Sequence, residues 1–193
     1  MNKKICVFCA SSAKVDKKYF DATVSFAHDA IKNSYDIIYG GGALGLMGTL
    51  ANAALEEGGN VIGIMPEFMK AVEWNHNGLS ELIIVDDMRE RKKQLIERAD
   101  IIVALPGGCG TLEELFEAIS LKRLGKITHP IIILNYDGFY DSLETLLEHM
   151  IAEKFMVEKH RPIWAFVKTP EEIVPAIRSS AEWSADAIQF AVV

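Results

Sequence analysis

Ile101-Ile102-Val103-Ala104-Leu105-Pro106-Gly107-Gly108-Cys109-Gly110-Thr111-Leu112-Glu113-Glu114 holds an apolar run, a glycine-rich turn and the start of a helical pattern. Leu112, Leu115, Phe116 and Ile119 carry that pattern onward at the spacing of one helix face. The stretch therefore reads as strand, turn, helix. Glycines let backbone N–H groups converge on an anion with no Cβ in the way. The helix start adds unpaired donors and a partial positive charge. The turn is built for a phosphate. Glu114, one turn into the helix, is a carboxylate that a plain phosphate site does not need. Its presence points to chemistry on a phosphorylated ligand.

Outward from this stretch, apolar runs alternate with helical patterns along the whole chain. Strands are predicted at Lys4–Phe8, Asp36–Tyr39, Val61–Ile64, Leu82–Val85, Ile101–Leu105, Pro130–Asn135 and Ile163–Phe166. Helices are predicted at Lys17–Asn33, Leu46–Glu57, Met88–Arg98, Thr111–Leu124, Phe139–Glu153 and Pro170–Ser180. Such alternation specifies an α/β fold: a doubly wound, Rossmann-like parallel sheet with helices on both faces. Ligands then bind beyond the carboxyl ends of the strands. At 193 residues the chain, 1–193, is expected to form a single nucleotide-binding domain. The stretch Pro66–Ser80 is the longest expected loop, and the tail Ala181–Val193 has no evident role.

Composition narrows the partners. A net charge of −7 disfavours nucleic acid. No run approaches the ~20 apolar residues of a membrane span, and no secretory leader is evident. The expected location is the cytoplasm. Cys6-x-x-Cys9 lies within the first strand, where positions three apart face opposite sides, whereas a redox pair opens a helix. Reduced thiols are the simpler reading. His28, His76, His129, His149 and His160 show no metal-ligand spacing, so no metal and no cofactor are assigned.

Two further constellations surround the phosphate turn. On the helix Met88–Arg98, the residues Met88, Leu95, Ile96 and Ala99 form the apolar stripe, with Arg91 flanking it and Lys92 near its middle. A charge on such a stripe is costly unless it pairs or reaches a polar cavity. Two adjacent cations just past a strand end favour a ligand site over snorkelling side chains. The other constellation, Gly40-Gly41-Gly42-Ala43-Leu44-Gly45, spells the dinucleotide fingerprint G-x-G-x-x-G. It follows the second strand, however, and only Glu67 stands near the expected acidic position. Close backbone approach to a nucleotide is the better reading. Neither loop carries the G-K-[ST] of a triphosphate site.

These residues resemble the Lonely Guy (LOG) family of cytokinin-activating phosphoribohydrolases. Pro106 to Glu114 fills the family pattern P-G-G-x-G-T-x-x-E, and Met88-Arg89-Glu90-Arg91-Lys92 fills M-x-x-R-K. Cys9-Ala10-Ser11-Ser12 is near C-G-S-S, with alanine in place of glycine, and Gly40-Gly41-Gly42 matches a glycine cluster. The likeness runs from about residue 4 to about residue 178. It implies hydrolysis of the N-glycosidic bond of nucleoside 5′-monophosphates, cytokinin riboside monophosphates or AMP, by a homodimer. It implies Arg91 and Glu114 as the catalytic pair. Ser11, Gly41, Gly42, Met88, Lys92, Gly107, Gly108, Gly110 and Thr111 would bind substrate and phosphate. Glu73, seven residues past Pro66, would contact the base, or is a solvated loop carboxylate. Asp137-Gly138-Phe139-Tyr140 resembles the family's D-G-Y-Y, which lies near the site; alternatively it is a plain turn. The lysine decarboxylase label that the family also carries finds no pyridoxal phosphate site in these residues. A non-catalytic nucleotide or cofactor carrier remains an alternative, as does a dinucleotide-dependent oxidoreductase resting on the Gly40 loop alone.

Overall fold

The structure is a computed structural model that describes residues 2–71 and 75–191. Seven strands form one sheet: β1 Lys3–Phe8, β2 Tyr35–Tyr39, β3 Val61–Pro66, β4 Glu81–Val85, β5 Ile101–Ala104, β6 Ile131–Leu134 and β7 Ala165–Val167. Their order is β4-β3-β2-β1-β5-β6-β7, and every neighbouring pair is parallel. Parallel strands covered on both faces should be apolar without alternation. The six residues of β3 are all buried, as are the four each of β5 and β6.

Helices cover both faces. On one side α1 (Lys17–Lys32), α2 (Gly45–Glu56) and α6 (Ile173–Ser179) bury Phe26, Leu50 and Ile173 against Ile5, Ile37 and Val103. On the other, α3 (Met88–Glu97), α4 (Cys109–Arg123) and α5 (Asp141–Ala152) bury Leu95, Leu115 and Leu147 against Cys6, Ile38 and Ile102. Each truncation of such a leucine to alanine would cost about 2–5 kcal/mol. The doubly wound, Rossmann-like reading is what the chain adopts.

The winding direction reverses between β1 and β5, which pair through Ile5↔Ile101, Val7↔Val103 and Phe8↔Ala104. That is the switch point, where the loops leaving two adjacent strands diverge and leave a crevice. Here those loops are Cys9–Ser12 and Leu105–Gly108.

Several boundaries differ from the sequence reading. The seventh strand is Ala165–Val167 because Glu158–Ile163 winds into a 3-10 turn around Pro162. The fifth helix begins at Asp141, since Asp137 and Gly138 take positive φ and form a turn first. The fourth begins at Cys109, two residues before Thr111. The tail is structured: Ala185–Phe190 forms a 3-10 turn, Ala187 is buried, and the Trp183 indole donates to Lys122 O at 2.7 Å. The expected long loop is shortened by the 3-10 turn Glu67–Ala71 and by a bridge between Asn75 and Gly42. No helix among the described residues is long and apolar enough to cross a membrane.

Candidate active site

A cavity of about 400 Å³ opens at the switch point. Its walls come from the end of β1 with Cys9–Ser12, from Gly40 after β2, from Met69, from Met88 and Arg91 on α3, and from Gly108–Thr111, Glu113 and Glu114 on α4. Residues far apart in sequence meet because three strand ends and two helix starts converge there.

The start of α4 is open. Its N-cap is Gly108, and no side chain caps it. The first-turn N–H groups of a helix have no partner within it. An uncapped start facing a cavity therefore offers donors and a positive dipole end to an anion. Thr111 is buried and turns its side chain back against Gly107, where any Cβ would overlap it. Gly107 thus serves the packing of Thr111, and Gly108 with Gly110 faces the cavity.

Arg91 is a buried cation, only 6% exposed. Its Nε donates to Ile64 O at 3.2 Å and its Nη2 to Gly40 O at 3.1 Å. Among the described residues its Nη1 meets only thioethers, at 3.6 Å from Met69 Sδ and 3.7 Å from Met88 Sδ. Among the described residues, no carboxylate lies within ion-pair distance of the guanidinium. Sulfur is a weak acceptor. The guanidinium is thus anchored on two strand ends, with Nη1 left for a stronger acceptor. Gly40 exists for this side chain, because a Cβ there would overlap Nη2.

Glu114 is half-buried and lines the same cavity from α4. Its carboxylate field reaches beneath the floor. Burial and then Glu114 push the Cys9 thiol up, and at Cys6 the Arg91 charge acts against both. The cavity floor thus feels a carboxylate and a guanidinium together.

Of the residues singled out from sequence, Ser11, Met88, Arg91, Gly108, Gly110, Thr111 and Glu114 line this cavity. Lys92 does not. It crosses from α3 to α4, pairing with Glu113 and, at 2.8 Å, with Glu117. Glu113, then Glu117, holds its pKa above the ordinary lysine value. The stripe position of Lys92 reflects a bridge between helices, in which the exposed Glu113 takes part. Gly41 and Gly42 also turn from the cavity. Gly41 takes φ +82° beside Met65 and Leu82, and Gly42 O accepts from the Tyr39 hydroxyl at 3.1 Å. Glu73 lies outside the described residues. Gly40 belongs to the loop expected to approach a nucleotide, whereas Met47 and Met69 were not foreseen as lining residues. Nothing in sequence separates them from core packing.

Residues 47–177 match the family model described as "Possible lysine decarboxylase". A lysine would have to hold pyridoxal phosphate, and the cavity lining has an arginine and two glutamates instead. The donor set does not suit that cofactor. A cytokinin riboside 5′-monophosphate phosphoribohydrolase of Arabidopsis thaliana is 41% identical over 83% of this chain and 76% of its own length. One of Rhodococcoides fascians is 39% identical over 92% and 90%. Among solved structures, the molybdenum cofactor carrier protein of Chlamydomonas reinhardtii superposes with a TM-score of 0.71, at 17% identity, over 92% of this chain and 97% of its own. At that identity the likeness is one of fold. Sequence kinship over most of both lengths, with the paired motifs brought onto one cavity, places this chain in the Lonely Guy family of cytokinin riboside 5′-monophosphate phosphoribohydrolases.

Proposed function

We propose that the protein hydrolyses the N-glycosidic bond of nucleoside 5′-monophosphates, cytokinin riboside 5′-monophosphates and AMP among them, to free base and ribose 5-phosphate. The observation that carries this reading is the meeting of Arg91, Glu114 and the uncapped start of α4 on one cavity. The phosphate sits on the N–H groups of Gly108–Thr111, with the Thr111 hydroxyl beside it. That anchor fixes the ribose over Glu114. As the C1′–N bond breaks, its electron pair leaves with the base and positive charge grows on the ribose ring. The Glu114 carboxylate stabilises that charge and takes a proton from the water that attacks C1′. Arg91, through Nη1, orients the substrate or assists the departing base.

The protein acts in this reading as a cytoplasmic homodimer. Free thiols at Cys6, Cys9 and Cys109 suit a reducing compartment. On α4 and just beyond it, Phe116 and Leu121 are half-buried and Leu124 is exposed, giving a second copy an apolar face to cover.

Chromatography of AMP and isopentenyladenosine monophosphate incubated with the protein tests the reading. Free base and ribose 5-phosphate are the expected products. Adenosine should be a poor substrate because the anchor is lost. Equal cleavage of adenosine and AMP would sink the phosphate-anchor argument, and no cleavage of either monophosphate would sink the activity.

A further inference from the structure

Tyr140, in the Asp137–Tyr140 turn, is 3% exposed and lines no part of the cavity. Its hydroxyl donates to Leu105 O at 2.9 Å. Burial pushes the phenol well up, so it remains a hydroxyl at neutral pH. It ties the chain at Leu105, the residue just before Pro106. Proline has no N–H, so the corner it makes cannot be tied through its own amide. Two residues after Pro106, Gly108 begins the open turn that faces the cavity.

The grip is itself anchored. The Tyr140 N–H donates to Asn135 Oδ1 at 2.7 Å. Asn135 is 2% exposed, and its Nδ2 donates to Asp141 Oδ1 at 2.8 Å and Glu144 Oε2 at 3.3 Å. A buried amide with both ends satisfied has one orientation only. The Tyr140 ring is held edge-on to Phe139 at 4.7 Å between centroids. A chain of hydrogen bonds therefore runs from the start of α5, through Asn135 and Tyr140, to the loop between β5 and α4.

We infer that Tyr140 is a positioning residue for the phosphate anchor: its hydroxyl sets the Leu105–Gly107 corner so that the amides following it converge on the phosphoryl group. The inference rests on the proposed reading of the cavity as a nucleotide site. It assigns Tyr140 no contact with substrate. Its effect belongs to binding of the phosphate, and the chemistry at the glycosidic bond belongs to Glu114 and Arg91.

Tyr140→Phe keeps the ring and removes the oxygen. Binding of inorganic phosphate and ribose 5-phosphate, followed by calorimetry, is expected to weaken about tenfold, the loss of one well-placed interaction. KM for AMP should rise by a similar factor, with kcat within about threefold of the parent. A merely structural tyrosine would instead lower stability and leave phosphate affinity in the folded fraction unchanged, which overturns the inference. A fall in kcat with KM unmoved overturns it as well. Should Tyr140→Phe fail to fold, Asn135→Ser, which frees the Tyr140 amide and keeps the hydroxyl, must show the same selective loss of phosphate affinity, or the inference is wrong. Absence of phosphate binding in the unmodified protein would overturn the nucleotide-site reading itself, a result separable from any difference between the variants.

Discussion

Glu113 and Glu114 are neighbours in sequence with different surroundings. Glu113 is exposed and bound to Lys92, whereas Glu114 is half-buried and its field reaches the cavity floor at Cys9. Glu114→Gln keeps size and hydrogen-bonding capacity and removes the charge. It is expected to lower turnover about a hundredfold or more while AMP affinity stays largely intact. Glu113→Gln should leave turnover within a few-fold, because Lys92 keeps Glu117. Turnover and AMP affinity measured on both variants decide the matter; a dead Glu113→Gln, or a near-normal Glu114→Gln, would reverse the assignment. Gly40 gives a second test. A methyl group there would overlap the Arg91 guanidinium without removing any charged residue. Gly40→Ala is expected to reduce kcat/KM by about a hundredfold through misplacement of Arg91 alone. A fully active, stable Gly40→Ala would show that the guanidinium need not be held where Ile64 O and Gly40 O fix it.

Among the helices, α3 and α4 carry the two proposed catalytic side chains, and the Lys92 bridge to Glu113 and Glu117 sets them against each other. The far end of α4 carries a different cation. Lys122 is 1% exposed, its Nζ lies 5.6 Å from the Trp183 ring centroid, and no carboxylate among the described residues pairs with it. Burial lowers its pKa to about 8. A lysine whose folded pKa is depressed destabilises the folded state while charged. The cost is full below about pH 8 and is recovered as pH rises toward the ordinary lysine value. It is on the order of 3 kcal/mol. Lys122→Met should therefore raise the denaturant midpoint near neutral pH, and its advantage over the parent should shrink by about pH 10. Urea titrations at the two pH values check this; an advantage that grows with pH contradicts it. The tail that supplies Trp183 acts here as a cover for the end of α4.

For the molecule as a whole, the exposed apolar residues at the edges of α4 and α5 matter most. Leu124 and Leu146 are more than a third exposed, and Phe155 is 75% exposed. A homodimer covering part of this surface should appear by light scattering at micromolar concentration, at twice the 21.4 kDa of the chain. Only monomer under those conditions would count against the assembly. Loss of the dimer by Leu124→Glu, with the chain still folded, would locate the face.

The sequence by itself determined the layer architecture. Continuous apolar runs such as Ile101–Leu105 can only be parallel strands buried on both faces, and the patterns between them can only be covering helices. It also determined the turn at Pro106–Thr111, because glycine, strand end and helix start combine there within one local segment. That Glu114 and Arg91 would line the cavity was legible for the same reason: each breaks a local pattern, as a carboxylate just past a glycine turn or a cation at an apolar stripe. The tertiary structure decided what distance in sequence conceals. Lys92 carries the same local signal as Arg91, yet the approach of α4 turns it into an interhelical bridge, and sequence periodicity holds no information about a neighbouring helix. Gly41 and Gly42 satisfy a binding motif, but of the three glycines only Gly40 lines the cavity, while Gly41 packs beside Met65 and Leu82 and Gly42 O accepts from Tyr39. Tyr140, read locally as part of a turn, meets the Pro106 corner only because β6 lies next to β5. Strand order, helix contact and loop register are long-range quantities, and they chose among residues that the local signals had left equivalent.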